Sequence, residues 1–317
     1  VVRVIGPTFS GAAASLARAL GTTECATVRG ATSTDLAGRY LNSSQNSCRC
    51  PEGAECEAGD LSPKRFQSFA DDNAVSRKAF IAALVQSGIA PNQIALLVEQ
   101  GTTLGAASGP TKENERHNDD CVPNSLGCYN VIQFPRNIFL LRNAYEQRNT
   151  NPQDVTPSPY LQLKLDGSAP ADDIPTFDSE KMPLSQESQL MAIQHQLLRY
   201  HTKYVLIWGS SNILDQIFLA QYFRRALPDA RIVFNASDLL IERETENTKF
   251  IGSLTVTPYH LIGLGNPQNP GFGGLAFPTS DSDSYYNATT STLCAMTHDC
   301  HAEDFAGYRP ALAKVDK

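Results

Sequence analysis

The chain has 317 residues and no run of 18 apolar ones, so it carries no sequence signature of a membrane-spanning helix. It also lacks a cluster of lysine and arginine. Its 26 basic side chains are set against 33 acidic ones, a net charge of −7, and that balance argues against nucleic acid as a partner. No leader of charged start and apolar middle opens the chain. The first residue already reads as strand, so a mature, processed or partial form is expected. Catalytic frames are missing too. No lysine follows Gly11 to make a phosphate-binding Walker loop, and Ser10 has no G-x-S-x-G around it. His195 and His201 lie six apart on different faces of one helix, and His117, His260, His298 and His301 fall in loops. No Ser/His/Asp or Cys/His set results. An enzyme is not expected, and neither is a cofactor or a resident metal.

What the chain does have is a series of short apolar runs, each followed by a turn and a helix. The opening "VVRVIGPTFSGAAASLARAL" is the first example. Val1–Ile5 reads as a buried parallel strand. Thr8 or Ser10 can cap the helix from Gly11 to Leu20. Free backbone N–H groups and a hydroxyl at that helix mouth make a small anion socket.

Further along, 27–29 reads as a brief strand and 42–60 as a cysteine-rich insertion. Asp71–Ser87 has helical periodicity and Gly88 stops it. Ile94–Val98 is a buried strand, "YNVIQF" another, and Asn137–Arg148 an amphipathic helix. A Pro/Asn linker at 149–159 precedes a strand "YLQLKL". A long helix then runs from a cap at Ser185 to His201. "KYVLIWG" and "ARIVF" are strands on either side of a helix from Leu214 to Leu227, and "FIGSLTVTPY" reads as a strand. The "DSDS" at 281–284 lacks the glycine and distal glutamate of a calcium loop and is read as solvated loop before a helix at 284–293. Strands alternating with helices predict a parallel, three-layer α/β architecture.

The eight cysteines fall mostly in polar loops, which argues for disulfides in an oxidising compartment. Cys121–Cys128 and Cys294–Cys300 are the expected pairs. Cys25, Cys48, Cys50 and Cys56 then allow three connectivities. A rival reading takes Cys294, His298, Cys300 and His301 as metal ligands, but their spacing matches no zinc signature. "NSS", "NAS" and "NAT" at Asn42, Asn235 and Asn287 fit the N-glycosylation acceptor pattern.

In such sheets ligands sit beyond the carboxyl ends of the strands. Here those ends are Gly6–Gly11, Gly30–Asp35, Glu99–Gly105, Gly209–Asn212 and Asn235–Asp238, all rich in Gly, Ser, Thr, Asn or Asp. Their order resembles the type I periplasmic binding proteins, in particular the leucine/isoleucine/valine-binding or amino-acid receptor group. "VIGPTFSGAAASLARAL" is similar to that family's IGP-x-x-S strand–turn–helix, and "TVRGATSTDL" to the strand end that follows it. "FQSFADDNAVSRKAFIAALVQSGIAPNQIALLVEQGTTLG", "KYVLIWGSSNILDQIFLAQYFRRALPDARIVFNASDLL" and "SYYNATTSTL" resemble its later segments. The likeness covers about 10–110 and 195–295 as an ordered series. Where the family has Tyr-Gly after the "IALLV" strand, this chain has Leu104-Gly105, and Ser211 replaces a bulky residue.

The resemblance implies two Rossmann-like lobes with parallel sheets and loop insertions stapled by disulfides. The first lobe would comprise 1–110 and 258–317, lacking the family's opening segment, and the second 111–257. Hinge crossings would lie near 106–130 and 255–262. It implies a small polar ligand, an amino acid or related carboxylate, held in a cleft between the lobes. Ser10 and Gly11 match the turn that holds a carboxylate, and Ala31 and Thr32 the second strand end. Asp238 matches the acidic partner of an ammonium. Thr103 and Ser211 complete the expected set. The implied partner is a membrane transporter or a larger envelope complex, and the implied place extracytoplasmic: periplasm, cell surface or secreted. The alternative is a non-catalytic structural or accessory subunit that keeps the scaffold without the ligand.

Overall fold

Short aliphatic runs followed by helical stretches do build alternating strands and helices. The computed structural model describes residues 2–7, 10–20, 26–32, 34–41, 66–70, 73–101, 129–136, 138–150, 183–208, 212–243, 250–257, 259 and 277–297. In chain order β1 (Val2–Ile5) precedes α1 (Ala13–Ala19), β2 (Ala26–Gly30) precedes α2 (Thr34–Leu41), and β3 (Phe66–Ser68) precedes α3 (Asn73–Gln86). Next come β4 (Ile94–Glu99), β5 (Asn130–Phe134), α4 (Phe139–Thr150) and α5 (Pro183–Arg199). The chain continues through β6 (Tyr204–Ile207), α6 (Ile213–Ala226), β7 (Arg231–Phe234) and α7 (Leu239–Arg243) to β8 (Leu254–Thr255) and α8 (Ser280–Thr297). One sheet has the order β1-β2-β3 and the other β5-β4-β6-β7-β8. The strand pairs are parallel, which is the expected α/β class. "YLQLKL" lies outside the described residues. No helix among the described residues is long and apolar enough to cross a membrane.

By its contacts the chain divides into Val1–Ile89 with Val233–Lys317, the first unit, and Ala90–Ile232, the second. In the first unit Val2 stands opposite Ala26 and Val28 opposite Phe66. The core there is Ala13, Leu20, Ala26, Val28, Ala37, Leu41 and Phe66. Alanine at three of these positions lets α1 and α2 approach the sheet closely. The tightest point is a glycine. A Cβ on Gly30 would lie 2.8 Å from the carbonyl carbon of Gly6 and closer still to its oxygen. The two strands are locked there, because the Gly6 N–H donates to the Arg29 carbonyl oxygen at 2.8 Å. Real Cβ atoms do not sit so near backbone, so one strand end must move to admit a side chain. Gly30→Ala is expected to cost about 1–3 kcal/mol, the range for overpacking a well-packed site. Urea unfolding followed by far-UV circular dichroism measures it, and an unchanged midpoint would mean the β1–β2 junction yields freely.

α3 ends as its sequence predicts. Gly88 has φ +90°, its N–H donates to the Val85 carbonyl oxygen, and the Ile89 N–H donates to that of Leu84. This is the hydrogen-bond pattern of a glycine-terminated helix.

In the second unit β4 is buried along its whole length between β5 and β6. Only a strand covered on both faces reads as an unbroken aliphatic run. Val205, Leu206, Ile207 and Trp208 continue the core, with Leu141, Leu190, Leu197, Leu219 and Phe223 from the helices. Polar groups are buried among these helices too. Arg142 on α4 donates from Nη1 to Asp215 Oδ1 on α6 at 2.7 Å, with the two side chains 13% and 9% exposed. The hydroxyl of Tyr145 donates to Glu187 on α5, and its ring meets Phe218 edge-on at 5.5 Å.

Several element ends differ from expectation. α5 begins at Pro183, whose fixed φ suits a first helical turn, so Ser185 lies inside the helix. α6 begins at Ile213 and is capped by Asn212, whose Oδ1 accepts the Leu214 N–H at 2.9 Å. α8 starts four residues before the expected 284, because the Thr279 hydroxyl accepts the Ser282 N–H at 3.1 Å. "DSDS" is thus the acidic first turn of a helix, where the dipole favours it. "FIGSLTVTPY" keeps only Leu254–Thr255 as strand.

Candidate functional site

The carboxyl ends of β1, β2 and β3 are tied together by side-chain hydroxyls. Thr32 Oγ1 donates to the Pro7 carbonyl oxygen at 2.8 Å, which joins the Gly6–Pro7 turn to the Ala31–Thr32 turn. Ser68 Oγ donates to the Thr32 carbonyl oxygen at 2.7 Å and accepts the Ala70 N–H at 3.1 Å. The Pro7 carbonyl takes a second bond, from the hydroxyl of Tyr285 on α8, also 2.8 Å. Ser10 opens a short 3-10 turn, Ser10–Ala12, ahead of α1, while the cap position of α1 itself is Ala12, with no side-chain bond. Gly11 is exposed on that turn and Ala31 is buried. Thr8 lies outside the described residues.

Asp238 caps α7, its Oδ1 accepting the Leu240 N–H at 2.7 Å. It also forms an isolated antiparallel bridge with Thr279, the residue that caps α8. α8 is therefore the element shared by the predicted groups. It begins beside Asp238 and reaches Pro7 at Tyr285, six residues on, about 9 Å along the axis at about 1.5 Å per residue. Asp281, in its first turn, has its carboxyl held above the ordinary range by desolvation and by the charge of Asp238. Thr103 and Ser211 lie outside the described residues.

The side of α8 that faces inward is polar. Ser280, Asp283, Ser284, Asn287, Ser291 and Thr292 are all buried, at helical spacing. Asn287 Nδ2 donates to the Tyr259 hydroxyl at 3.2 Å, which donates to the Phe69 carbonyl oxygen at 2.5 Å. Arg29 on β2 donates to the Ser291 carbonyl oxygen at 2.7 Å. Asn287 is fully buried, so its "NAT" is no glycan acceptor on the folded chain. Asp283 is 5% exposed and its Oδ2 has no hydrogen-bond partner. Burial pushes its carboxyl up to about 6.

Tyr285, Ser68, Tyr259, Asn287 and Asp283 were not legible as site residues. The signal was the polar i, i+3, i+4, i+7 stripe across 280–291, which marks a helix side buried against hydrogen-bonding groups. Cys294 is buried on α8, and no described cysteine is a free thiol. The other seven cysteines, His298 and His301 lie outside the described residues, among which no group of His, Cys, Asp and Glu suits a metal ion. No protein-family model and no curated protein matches this chain.

Proposed function

We propose that this protein is an extracytoplasmic solute-binding protein or receptor for a small polar ligand, an amino acid or a related carboxylate. The observation that carries the reading is the convergence on α8. One helix, α8, begins beside Asp238, which bridges Thr279, and is bonded to the turn where Pro7 meets Thr32. A carboxylate-accepting turn and a carboxylate for an ammonium are the two ends that an amino acid needs. The parallel sheets, with their polar strand ends, suit ligand binding at those ends. The oxidising compartment rests on the cysteines. Cys294 is not a free thiol, and Cys300 is the partner proposed for it. Ligand contacts would act by shifting an open–closed balance, with a membrane transporter or envelope complex as the partner downstream.

One observation favours the second reading, a non-catalytic structural or accessory subunit. The Thr32 hydroxyl proton and one Asp238 oxygen are already committed to backbone groups. Thermal unfolding against a panel of amino acids, small peptides and organic acids separates the two. A receptor gains about 2.7 kcal/mol at a hundredfold excess of ligand over Kd. The expected result is a ligand-specific rise that Ser10→Ala and Asp238→Ala abolish. A flat response across the panel from the folded protein moves the assignment to the structural subunit.

A further inference from the structure

We propose that Arg77 is the centre of an oxyanion-binding site in the first unit, one that takes a carboxylate or phosphate group. Arg77, Ile81 and Leu84 share the buried stripe of α3 at i, i+4, i+7 spacing. Two of the three are the hydrophobes that such a stripe calls for. The third is a guanidinium, and it is 2% exposed. Its Nε is buried with no hydrogen-bond partner, and no carboxylate pairs with it among the described residues.

Nε of Arg3 and of Arg142 is likewise buried without a hydrogen-bond partner, but other inward-facing arginines hold bonds elsewhere on the fork. Arg29 donates to Gln67 and to the Ser291 carbonyl oxygen, Arg142 to Asp215, and Arg224 to the Ala230 carbonyl oxygen. Arginine cannot shed its proton to escape burial, as a lysine or histidine can. A buried guanidinium without an anion is therefore a standing cost to the fold. An anion from solution removes that cost, and the planar fork of N–H donors fits the paired oxygens of a carboxylate or phosphate. The position suits a ligand as well. α3 is the helix that leaves the carboxyl end of β3, and Arg77 lies in its second turn.

The test uses the full chain and measures unfolding midpoints in sodium acetate and in inorganic phosphate, each against sodium chloride at matched ionic strength. Acetate and phosphate arms distinguish a carboxylate site from a phosphate site. At a hundredfold excess over Kd either anion should raise the folding equilibrium about a hundredfold. Arg77→Met keeps the stem and removes the charge. It should lose that rise and be at least as stable as the parent in chloride alone. Arg77→Lys keeps a point charge without the fork and should need at least about tenfold more anion, roughly the factor that one lost charge-assisted bond carries.

No response of the parent to either anion would overturn the site and leave Arg77 as a packed stem. A full response in Arg77→Met would overturn it as well. If Arg77→Met does not fold, an undiminished response in Arg77→Lys overturns the proposal and a weakened one supports it. The proposal does not rest on the solute-binding reading: a response that Arg77→Met removes and that Ser10→Ala and Asp238→Ala leave intact belongs to Arg77, whereas the reverse pattern belongs to the solute site.

Discussion

Asp283→Asn should make the protein more stable at pH 8 and no more stable at pH 4. The folded carboxyl titrates near 6 and the unfolded one near its ordinary 3.8. Below 3.8 both states carry the proton and Asp283 costs nothing. As pH rises from 3.8 to 6 the unfolded chain ionises while the folded chain holds its proton, so stability falls. Above 6 the folded protein carries a buried charge, and the penalty is complete at about 3 kcal/mol. The amide removes the charge but leaves a buried donor where Oδ2 had no partner, which returns part of the gain. A net gain of about 1–2 kcal/mol at pH 8 follows, shrinking to nothing or a small loss at pH 4. Urea unfolding from pH 4 to 8, read by far-UV circular dichroism, gives both curves. Parallel curves for parent and variant would show that Asp283 is solvated and titrates normally.

Arg142→Met should be the most damaging single change in the second unit. It leaves Asp215, already pushed upward by desolvation against the pull of Arg142, without its counter-charge in a buried site. Breaking such a pair from one side costs about 3–5 kcal/mol. Glu146 does not rescue the arrangement, since it is an exposed carboxylate 3.6 Å from Arg142 Nε and carries the same sign as Asp215. Asp215 then escapes by taking up a proton, so the loss should be larger at pH 8 than at pH 5. Arg142→Met with Asp215→Leu removes both charges and should recover most of the loss, because well-packed apolar replacements of a buried pair are often neutral. The chain's one tryptophan, Trp208, is buried in the same unit, and its fluorescence reports the urea transition. A double variant that loses the sum of two single losses would show that the two residues act independently.

Local sequence decided most of the elements. Ile94–Glu99 is a central strand because an unbroken aliphatic run has no solvated side, and α3 ends where Gly88 permits a positive φ. The parallel α/β class followed from strands alternating with helices. Some elements had too little local signal to be seen. β3 is three residues, Phe66–Ser68, and its alternation is too short to register; it is a strand because Val28–Gly30 of β2 supplies its partner. α7 is five residues long and is held by the Asp238 cap.

The candidate site divides the same way. The types of group at the strand ends, glycines, hydroxyls and an aspartate, were readable in one dimension, because turns and caps draw on nearest neighbours. Their partners were not. Thr32 meets Pro7 across 25 residues and Tyr285 meets the same carbonyl across 278. No local pattern records which distant hydroxyl will satisfy a given backbone oxygen. Periodicity likewise said that α3 buries one side, but only tertiary packing put Arg77 on that side with Nε unpartnered, and Asp283 on the inward side of α8 with Oδ2 unpartnered. The sequence by itself determined the class of fold and the chemistry of its turns, since both depend on local propensity and hydrophobic period. The tertiary structure alone decided which charges are buried and which polar groups are paired, because burial and pairing are properties of what the rest of the chain brings near.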